Sequence, residues 1–372
     1  MLGLYLHVPF CLAKCPYCDF YSTAAFDDDL LDRYVAALCT AMDRTEGQYG
    51  RADTLYFGGG TPSLLGGKRL ARLIEHAAAR FDLQNAEITL EANPADDLAD
   101  TLRVFAAAGG NRLSLGMQAA NDTELSALGR RHRMRDLYRT AEDAARAGIT
   151  NLSLDLMLAT PGQTDRSVAR AVDVCRELGA KHVSAYLLKI EPNTPFFARQ
   201  ESLALPDEDT AADRYLFACE QLEAAGFAQY EISNFAREGY ESRHNLKYWS
   251  GDEYLGLGPA AHSFLRGVRW EYPRDLAAFL RGEPPRAEEN TTAVGDASPV
   301  EYAMLRLRLV AGLREEDFFA RFGNDIPVAW RKAAKTLPRA LVLCDEEGIR
   351  LTREGFLLEN PLIARILQEG GI

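Results

Sequence analysis

Through the first 235 residues, short apolar runs alternate with longer stretches whose apolar positions recur every three or four residues. The runs at 2–7, 54–57, 87–91, 112–115, 151–156 and 182–187 predict strands. The stretches at 29–44, 68–80, 99–108, 136–147, 165–178 and 208–225 predict helices. Gly109, Gly148, Gly179 and Gly226 close several of them, as helix C-termini favour. Thr164 or Asp165 is placed to cap the fifth helix. Alternation at this pace implies parallel strands with right-handed crossovers. Six units fall short of an eight-unit barrel, which leaves an open barrel or a doubly wound sheet. Both place chemistry at the carboxyl ends of the strands.

Beyond residue 235 the pattern changes. Segment 236–297 reads as a loop-rich connector, punctuated by Gly251, Gly256, Gly258, Pro259, Pro273, Pro284 and Pro285. A helical run follows at 300–310. Short strands are expected at 341–344 and 349–351, around Glu347-Gly348, and a last helix at 360–368. Helices with a small hairpin predict a smaller α+β domain over 298–372, winged-helix-like in character. Such tails can bind nucleic acid, but Cys344-Asp-Glu-Glu-Gly348 is acidic where a DNA-reading wing needs positive charge.

Each predicted strand of the first part ends in something polar or glycine-rich. Cys11, Cys15 and Cys18 follow the first, and Gly58-Gly-Gly-Thr-Pro62 the second. Adjacent glycines let backbone N–H groups approach a ligand. The third strand ends in Glu91-Ala-Asn-Pro94, and the fourth in Gly116-Met-Gln118, with Arg130 and Arg131 beyond. Asp155 lies near the end of the fifth, and Lys189, Glu191 and Asn193 follow the sixth. Burying an acidic residue without a partner is costly. Together these positions describe one polar pocket facing the cysteines.

The cysteine spacing is C-x3-C-x2-C, with no fourth cysteine close behind. Protein-held [4Fe–4S] cubes bind each iron through a thiolate, so three thiolates leave one iron open to a small molecule. Structural zinc is the alternative, with His7 or Asp19 as the fourth ligand. A disulfide is disfavoured by 7 Cys in 372 residues, an odd number at low density. Cys39, Cys175 and Cys219 lie in helical runs and are expected in the core.

Composition is that of a globular protein, with 47% hydrophobic and 26% charged residues. Lys+Arg 42 against Asp+Glu 54 gives a net charge of -12, which argues against broad binding to a phosphate backbone. The N-terminus lacks the charged leader and long apolar core of a signal peptide. No stretch reaches the roughly 18 apolar residues that span a bilayer. A cytoplasmic location is expected.

The cysteine run, with Tyr17 before its last cysteine, resembles the signature of the radical S-adenosylmethionine (SAM) superfamily. Gly58–Pro62 resembles that superfamily's glycine motif. Tyr5-Leu-His-Val-Pro-Phe-Cys11, Phe57-Gly-Gly-Gly-Thr-Pro62, Glu91-Ala-Asn-Pro94, Leu115-Gly-Met-Gln118 and Asp155-Leu-Met157 are similar to the branch holding oxygen-independent coproporphyrinogen III oxidase and its HemW-like relatives. The oxidase has a further cysteine two residues after the third, where this chain has Phe20. His244-Asn-Leu-Lys-Tyr-Trp249 looks like the HNxxYW motif tied to haem handling in HemW-like proteins.

The resemblance implies a partial (β/α)6 TIM-like radical SAM barrel over 1–235 and a HemW-like haem chaperone. It implies a [4Fe–4S] cluster on Cys11, Cys15 and Cys18, with SAM on the open iron as the source of a 5′-deoxyadenosyl radical. Tyr5 and Tyr17 would pack beside cluster and adenine. Gly59, Gly60 and Thr61 would face the methionyl end, and Glu91 a ribose hydroxyl or the amino group. Gln118, Arg130 and Asp155 match second-SAM contacts of the oxidase, and Lys189 joins the SAM set. Haem is the implied cargo and haemoproteins, respiratory or haem-storing, the clients. Some clients would be membrane-associated, and a homodimer is compatible. His244 is the expected haem ligand, since imidazole is a common axial donor. Tyr248, Trp249, Tyr254 and Phe264 would stack on the porphyrin, and His262 is the competing donor. Oxidative decarboxylation of a porphyrinogen is the second reading, disfavoured by Phe20. A radical SAM enzyme acting on RNA is the third, disfavoured by the acidic balance.

Overall fold

The computed structural model describes residues 1–45, 50–94, 97–287 and 298–368. Six parallel strands lie side by side in sequence order: β1 (Leu2–Val8), β2 (Ala52–Gly59), β3 (Glu87–Ala92), β4 (Arg112–Gln118), β5 (Asn151–Leu158) and β6 (His182–Leu187). Between them run α1 (Asp28–Asp43), α2 (Gly66–Ala78), α3 (Ala99–Ala107), α4 (Asp122–Ala127), α5 (Met134–Arg146) and α6 (Asp165–Glu177). After β6 come α7 (Pro195–Ala198) and α8 (Glu208–Ala224). Several strands run past the apolar stretch that predicts them, because Gly59, Gln118 and Leu158 still pair with the neighbouring strand.

The strand period of two explains what the sheet does. On β1, Leu2, Leu4, Leu6 and Val8 join the main core with Leu31, Val35 and Leu38 of α1. The alternate residues, Gly3, Tyr5 and His7, face the other way. The pattern continues through Thr54 and Tyr56, Thr89 and Glu91, Arg112 and Ser114, Ser153 and Asp155, and His182 and Ser184. The outer face of the barrel is therefore apolar and its interior polar. Cys39, Cys175 and Cys219 are buried in the core, as expected.

The described part of the expected connector, 236–287, carries more regular structure than its glycines and prolines suggest, and it extends the sheet. After β7 (Ala228–Gln229), which forms the sheet edge, and β8 (Asn234–Ala236), which joins it antiparallel to β6, comes a helix, α9 (Arg243–Ser250), which carries the HNxxYW run. Then β9 (Tyr254–Leu257) pairs parallel with β1, and β10 (His262–Leu265), β11 (Val268–Glu271) and, after α10 (Leu276–Leu280), β12 (Arg286–Ala287) continue the sheet antiparallel. Residues 288–297 lie outside the described residues. Strands of four residues broken by glycine carry too little periodicity to be seen. Gly256 is required there: a Cβ on it would lie 2.1 Å from the His262 carbonyl oxygen. The helix is bracketed by Ser242, whose hydroxyl accepts from the Asn245 N–H, and by left-handed Gly251.

Helix α9 closes the amino-terminal end of the barrel. Glu87, the first residue of β3, accepts the backbone N–H groups of Arg243 and His244, capping the helix N-terminus with a carboxylate. Lys247 reaches Asp53 at the start of β2, Nζ to Oδ1 2.7 Å, and donates to the Met1 carbonyl at 2.8 Å.

The tail builds a second core around Tyr302, Phe318, Trp330, Ile349 and Ile366. It comprises α11 (Pro299–Arg306), β13 (Leu313–Arg314), α12 (Glu315–Phe322), α13 (Val328–Thr336), β14 (Val342–Cys344), β15 (Gly348–Leu351), α14 (Arg353–Phe356) and α15 (Glu359–Gln368). Its strands form a small antiparallel sheet in the order β13-β15-β14. No helix among the described residues is long and apolar enough to cross a membrane.

Candidate functional site

The loop after β1 is pinned on three sides by backbone hydrogen bonds. Cys11 N–H donates to the Thr23 carbonyl at 3.0 Å, Thr61 N–H to the Phe10 carbonyl at 2.7 Å, and Phe196 N–H to the Pro16 carbonyl at 3.0 Å. Cys11, Cys15 and Cys18 thereby come to one cavity of about 360 Å3 at the carboxyl ends of β2 to β6. That volume suits a small ligand. Thr61 Oγ1 donates to Cys11 Sγ at 3.6 Å, and Arg130 Nη1 to Cys15 Sγ at 3.3 Å. Burial pushes the Cys18 thiol above its usual range.

Gly59, Gly60, Thr61, Glu91, Gln118, Arg130, Asp155 and Tyr17 line the same cavity, as the sequence implies. Gly59 is left-handed, with φ +110. On Gly60 a Cβ would stand 2.6 Å from the Phe10 carbonyl oxygen, so the β1 and β2 loops can approach this closely only around glycine. Tyr56 OH donates to Glu91 Oε1 at 2.7 Å, and Gly59 N–H to Oε2 at 3.2 Å. Even so, burial raises the Glu91 carboxyl to about 7, helped by the nearby charge of Asp155. Burial raises Asp155 to about 6, against the hydrogen bonds of Ser184 and Ser114. Arg130 also donates to Tyr17 OH, Asn93 Oδ1 and the Gly116 carbonyl, so it ties the cysteine loop to β4.

Three expected residues lie elsewhere. Lys189 has a side chain 81% exposed, paired with Glu191 at 2.7 Å, and does not line the cavity. Tyr5 is beneath the floor: its hydroxyl meets His7 Nδ1 at 3.1 Å, and it borders a neighbouring cavity. His244 is 1% exposed. Its Nδ1 lies 2.7 Å from Thr54 Oγ1 and its Nε2 2.9 Å from Tyr248 OH. The ring stacks on Tyr56 at 5.0 Å, and burial lowers its pKa to about 3. Axial ligation by His244 would require breaking one of these hydrogen bonds and opening the barrel floor. The structure does not offer it as a haem ligand.

Asn93, within the Glu91–Pro94 run, lines the cavity too, and Tyr56, Arg112, Ser114, Tyr186 and Asn245 also line it but escape the sequence reading. Arg112 is 1% exposed, and its Nε has no hydrogen-bond partner among the described residues. The signal that could have found them is alternation: each strand residue here sits two or four places before a strand-end residue already singled out, or pairs with one.

The donor set fits an iron–sulfur cube. Three thiols share one cavity mouth, and a guanidinium stands beside one of them, as a thiolate favours. A structural zinc would need a fourth ligand from His7 or Asp19. His7 Nε2 instead meets the Tyr21 carbonyl at 3.1 Å, and Asp19 faces Arg274 at 3.8 Å. The glycine approach and the Glu91 carboxylate fit a small ligand bearing amino and hydroxyl groups.

Residues 5–175 match the model of the radical SAM superfamily, and 297–358 that of the HemN C-terminal domain. A protein of Mycobacterium tuberculosis named heme chaperone HemW is 38% identical, over 98% of this chain and 94% of its own length. The heme chaperone HemW of Bacillus subtilis is 35% identical over 99% of this chain and 100% of its own. The solved coproporphyrinogen III oxidase (HemN) of Escherichia coli, a radical SAM enzyme, superposes with a TM-score of 0.80 over 98% of this chain and 90% of its own, at 22% identity, a likeness of fold. Identity above one residue in three, sustained from end to end of relatives that share both matched regions, means that this chain belongs to the HemW family of the radical SAM superfamily.

Proposed function

We propose that this chain is a haem chaperone of the radical SAM type, which carries a [4Fe–4S] cluster and SAM, binds haem and passes it to haemoproteins in the cytoplasm. The observation that carries the reading is the cavity itself. Its three thiols, glycine approach and buried carboxylate belong to a chain that resembles haem chaperones through barrel and tail alike. Cys11, Cys15 and Cys18 would hold three irons of the cluster. The cluster and SAM, when bound, supply one-electron reductive chemistry. Arg130 favours the Cys15 thiolate, Gly59 and Gly60 let the methionyl end approach the backbone, and Glu91 accepts from its polar hydrogens. Gln118 and Asp155 line the far side.

Glu91 gives this site a pH dependence. SAM carries net positive charge, so the ionised carboxylate is the binding form. With the carboxyl raised to about 7, SAM affinity rises with pH through neutrality, by up to about tenfold per unit below that value. It levels off above, and Glu91→Gln removes the part of the rise near 7 and leaves the shallower one from Asp155 near 6, as isothermal titration across pH would register. The linkage to folding runs oppositely. A folded pKa above the ordinary 4.5 contributes stability that is full below about 4.5 and lost as pH rises through about 7.

The function is tested anaerobically with the reconstituted full chain and two candidate substrates. Haem is expected to bind near one per chain, and coproporphyrinogen III with SAM and reductant to come back unchanged. A vinyl-bearing product would sink the chaperone reading in favour of the oxidase.

A further inference from the structure

A second cavity, of about 600 Å3, adjoins the cluster cavity and shares Phe20 with it. Its walls are aromatic: Tyr5, Phe20, Tyr21, Tyr248 and Tyr254. Phe20 is 67% exposed, a large apolar ring presented to solvent where the two cavities meet. The remaining wall is polar and placed to one side. His262 Nε2 stands 3.4 Å from Glu271 Oε2 across the β10–β11 pair, and Arg274 lies beyond. A carboxylate behind an imidazole orients the ring and raises its basicity as a metal donor. The Arg274 side chain is 61% exposed; it donates to the Asp19 carbonyl at 3.1 Å and stands 3.8 Å from the exposed Asp19 carboxylate, a loose surface pair that leaves its remaining N–H groups to meet a second carboxylate. A broad aromatic slot with an oriented imidazole and a cation at its edge matches one chemical class, a flat metallated macrocycle bearing carboxylates.

Resting on the haem-chaperone reading above, we propose that haem sits in this aromatic cavity, with His262 as an axial ligand and Arg274 facing a propionate, beside the cluster cavity and not within it. The HNxxYW run then acts by position. His244 holds the Tyr248 hydroxyl at 2.9 Å with the rings edge to face at 5.3 Å, and so sets one wall of the slot from beneath. His244 is a positioning residue, and His262 the donor.

The full-length protein, with and without its cluster, is titrated with ferric haem, and the Soret band and its electron paramagnetic resonance are recorded. His262→Ala is expected to move the Soret band and to change the ferric spin signal. Glu271→Gln weakens binding by about tenfold, the low end for a carboxylate behind a metal-bound imidazole, and His262→Ala by more. Arg274→Glu weakens binding without moving the band. His244→Ala weakens binding but leaves the Soret position and the spin signal as they are. SAM affinity is unchanged in His262→Ala and Arg274→Glu. If His262→Ala and Arg274→Glu bind haem as the parent does, with the parent spectrum, this seat is wrong while the chaperone reading stands. If the parent chain itself takes up no stoichiometric haem, the chaperone reading falls first and the seat with it.

Discussion

Cys15→Ala is expected to abolish the brown four-iron absorbance after anaerobic reconstitution, with iron content dropping from about four per chain toward none. Cys15 is the thiol beside the Arg130 guanidinium, so its loss removes one iron's anchor and strands a buried cation. Arg130 keeps its other acceptors at Tyr17, Asn93 and Gly116, so the loop remains tied to β4 and the fold survives. Circular dichroism should therefore match the parent. Cys39→Ala, in the core behind the barrel, is the control and should keep its cluster. Retention of a full cluster by Cys15→Ala, or one zinc and no iron in the parent, would overturn the assignment of all three thiols.

The second large effect concerns stability. Lys247→Met is expected to cost about 3–5 kcal/mol, because it leaves the Asp53 carboxylate buried with its main partner gone. The Lys247 and Asp53 side chains are 6% and 11% exposed, and the remaining cation, Arg243, is half exposed and 3.6 Å away. Urea unfolding should show a lower midpoint at unchanged slope. The double variant Asp53→Asn with Lys247→Met should be less destabilised than Lys247→Met alone, since no unpaired charge remains. A loss below about 1 kcal/mol would mean that the pair behaves like a surface ion pair and that α9 is not fastened there. Because α9 also supplies Asn245 to one cavity and Tyr248 to the other, weakened anchoring should lower SAM and haem affinity together.

These two predictions divide along the line between what was legible in the chain and what was not. The cysteine loop, the glycines and the carboxylates of β3 and β5 were legible because each ends an apolar run, and strand ends of a parallel barrel face one side. Lys189 follows the same rule and fails it. A position past a strand's end says nothing about where a long flexible side chain turns, and this one turns to Glu191 in solvent. Arg112 and Tyr56 were illegible for a different reason. Their strands are buried on both faces, so polar alternation is read only once the sheet is known to curve around an interior.

The HNxxYW run was misplaced for want of length. Eight helical residues between Ser242 and Gly251 do not establish a 3.6-residue period, and a histidine among glycines and prolines reads as a loop residue. Tertiary contacts decide the matter: Thr54, Tyr56 and Tyr248 enclose the ring, and Glu87 caps the helix from 157 residues away. The missing cysteine at position 20 gains a structural sense by the same route. Phe20 lies where the cluster cavity meets the aromatic one, so the residue that departs from the oxidase pattern is also the one both cavities share.

Transfer of the cargo tests the central claim most directly. The haem-loaded full chain, carrying its cluster, is mixed anaerobically with a haem-free haemoprotein, and the acceptor is separated and assayed by its own spectrum and activity. A haem chaperone yields an acceptor with its native Soret band and restored activity, faster than an equal amount of free haem achieves and dependent on contact between the two proteins. Haem that stays with the donor, or an acceptor that fills no faster than with free haem, would contradict the account.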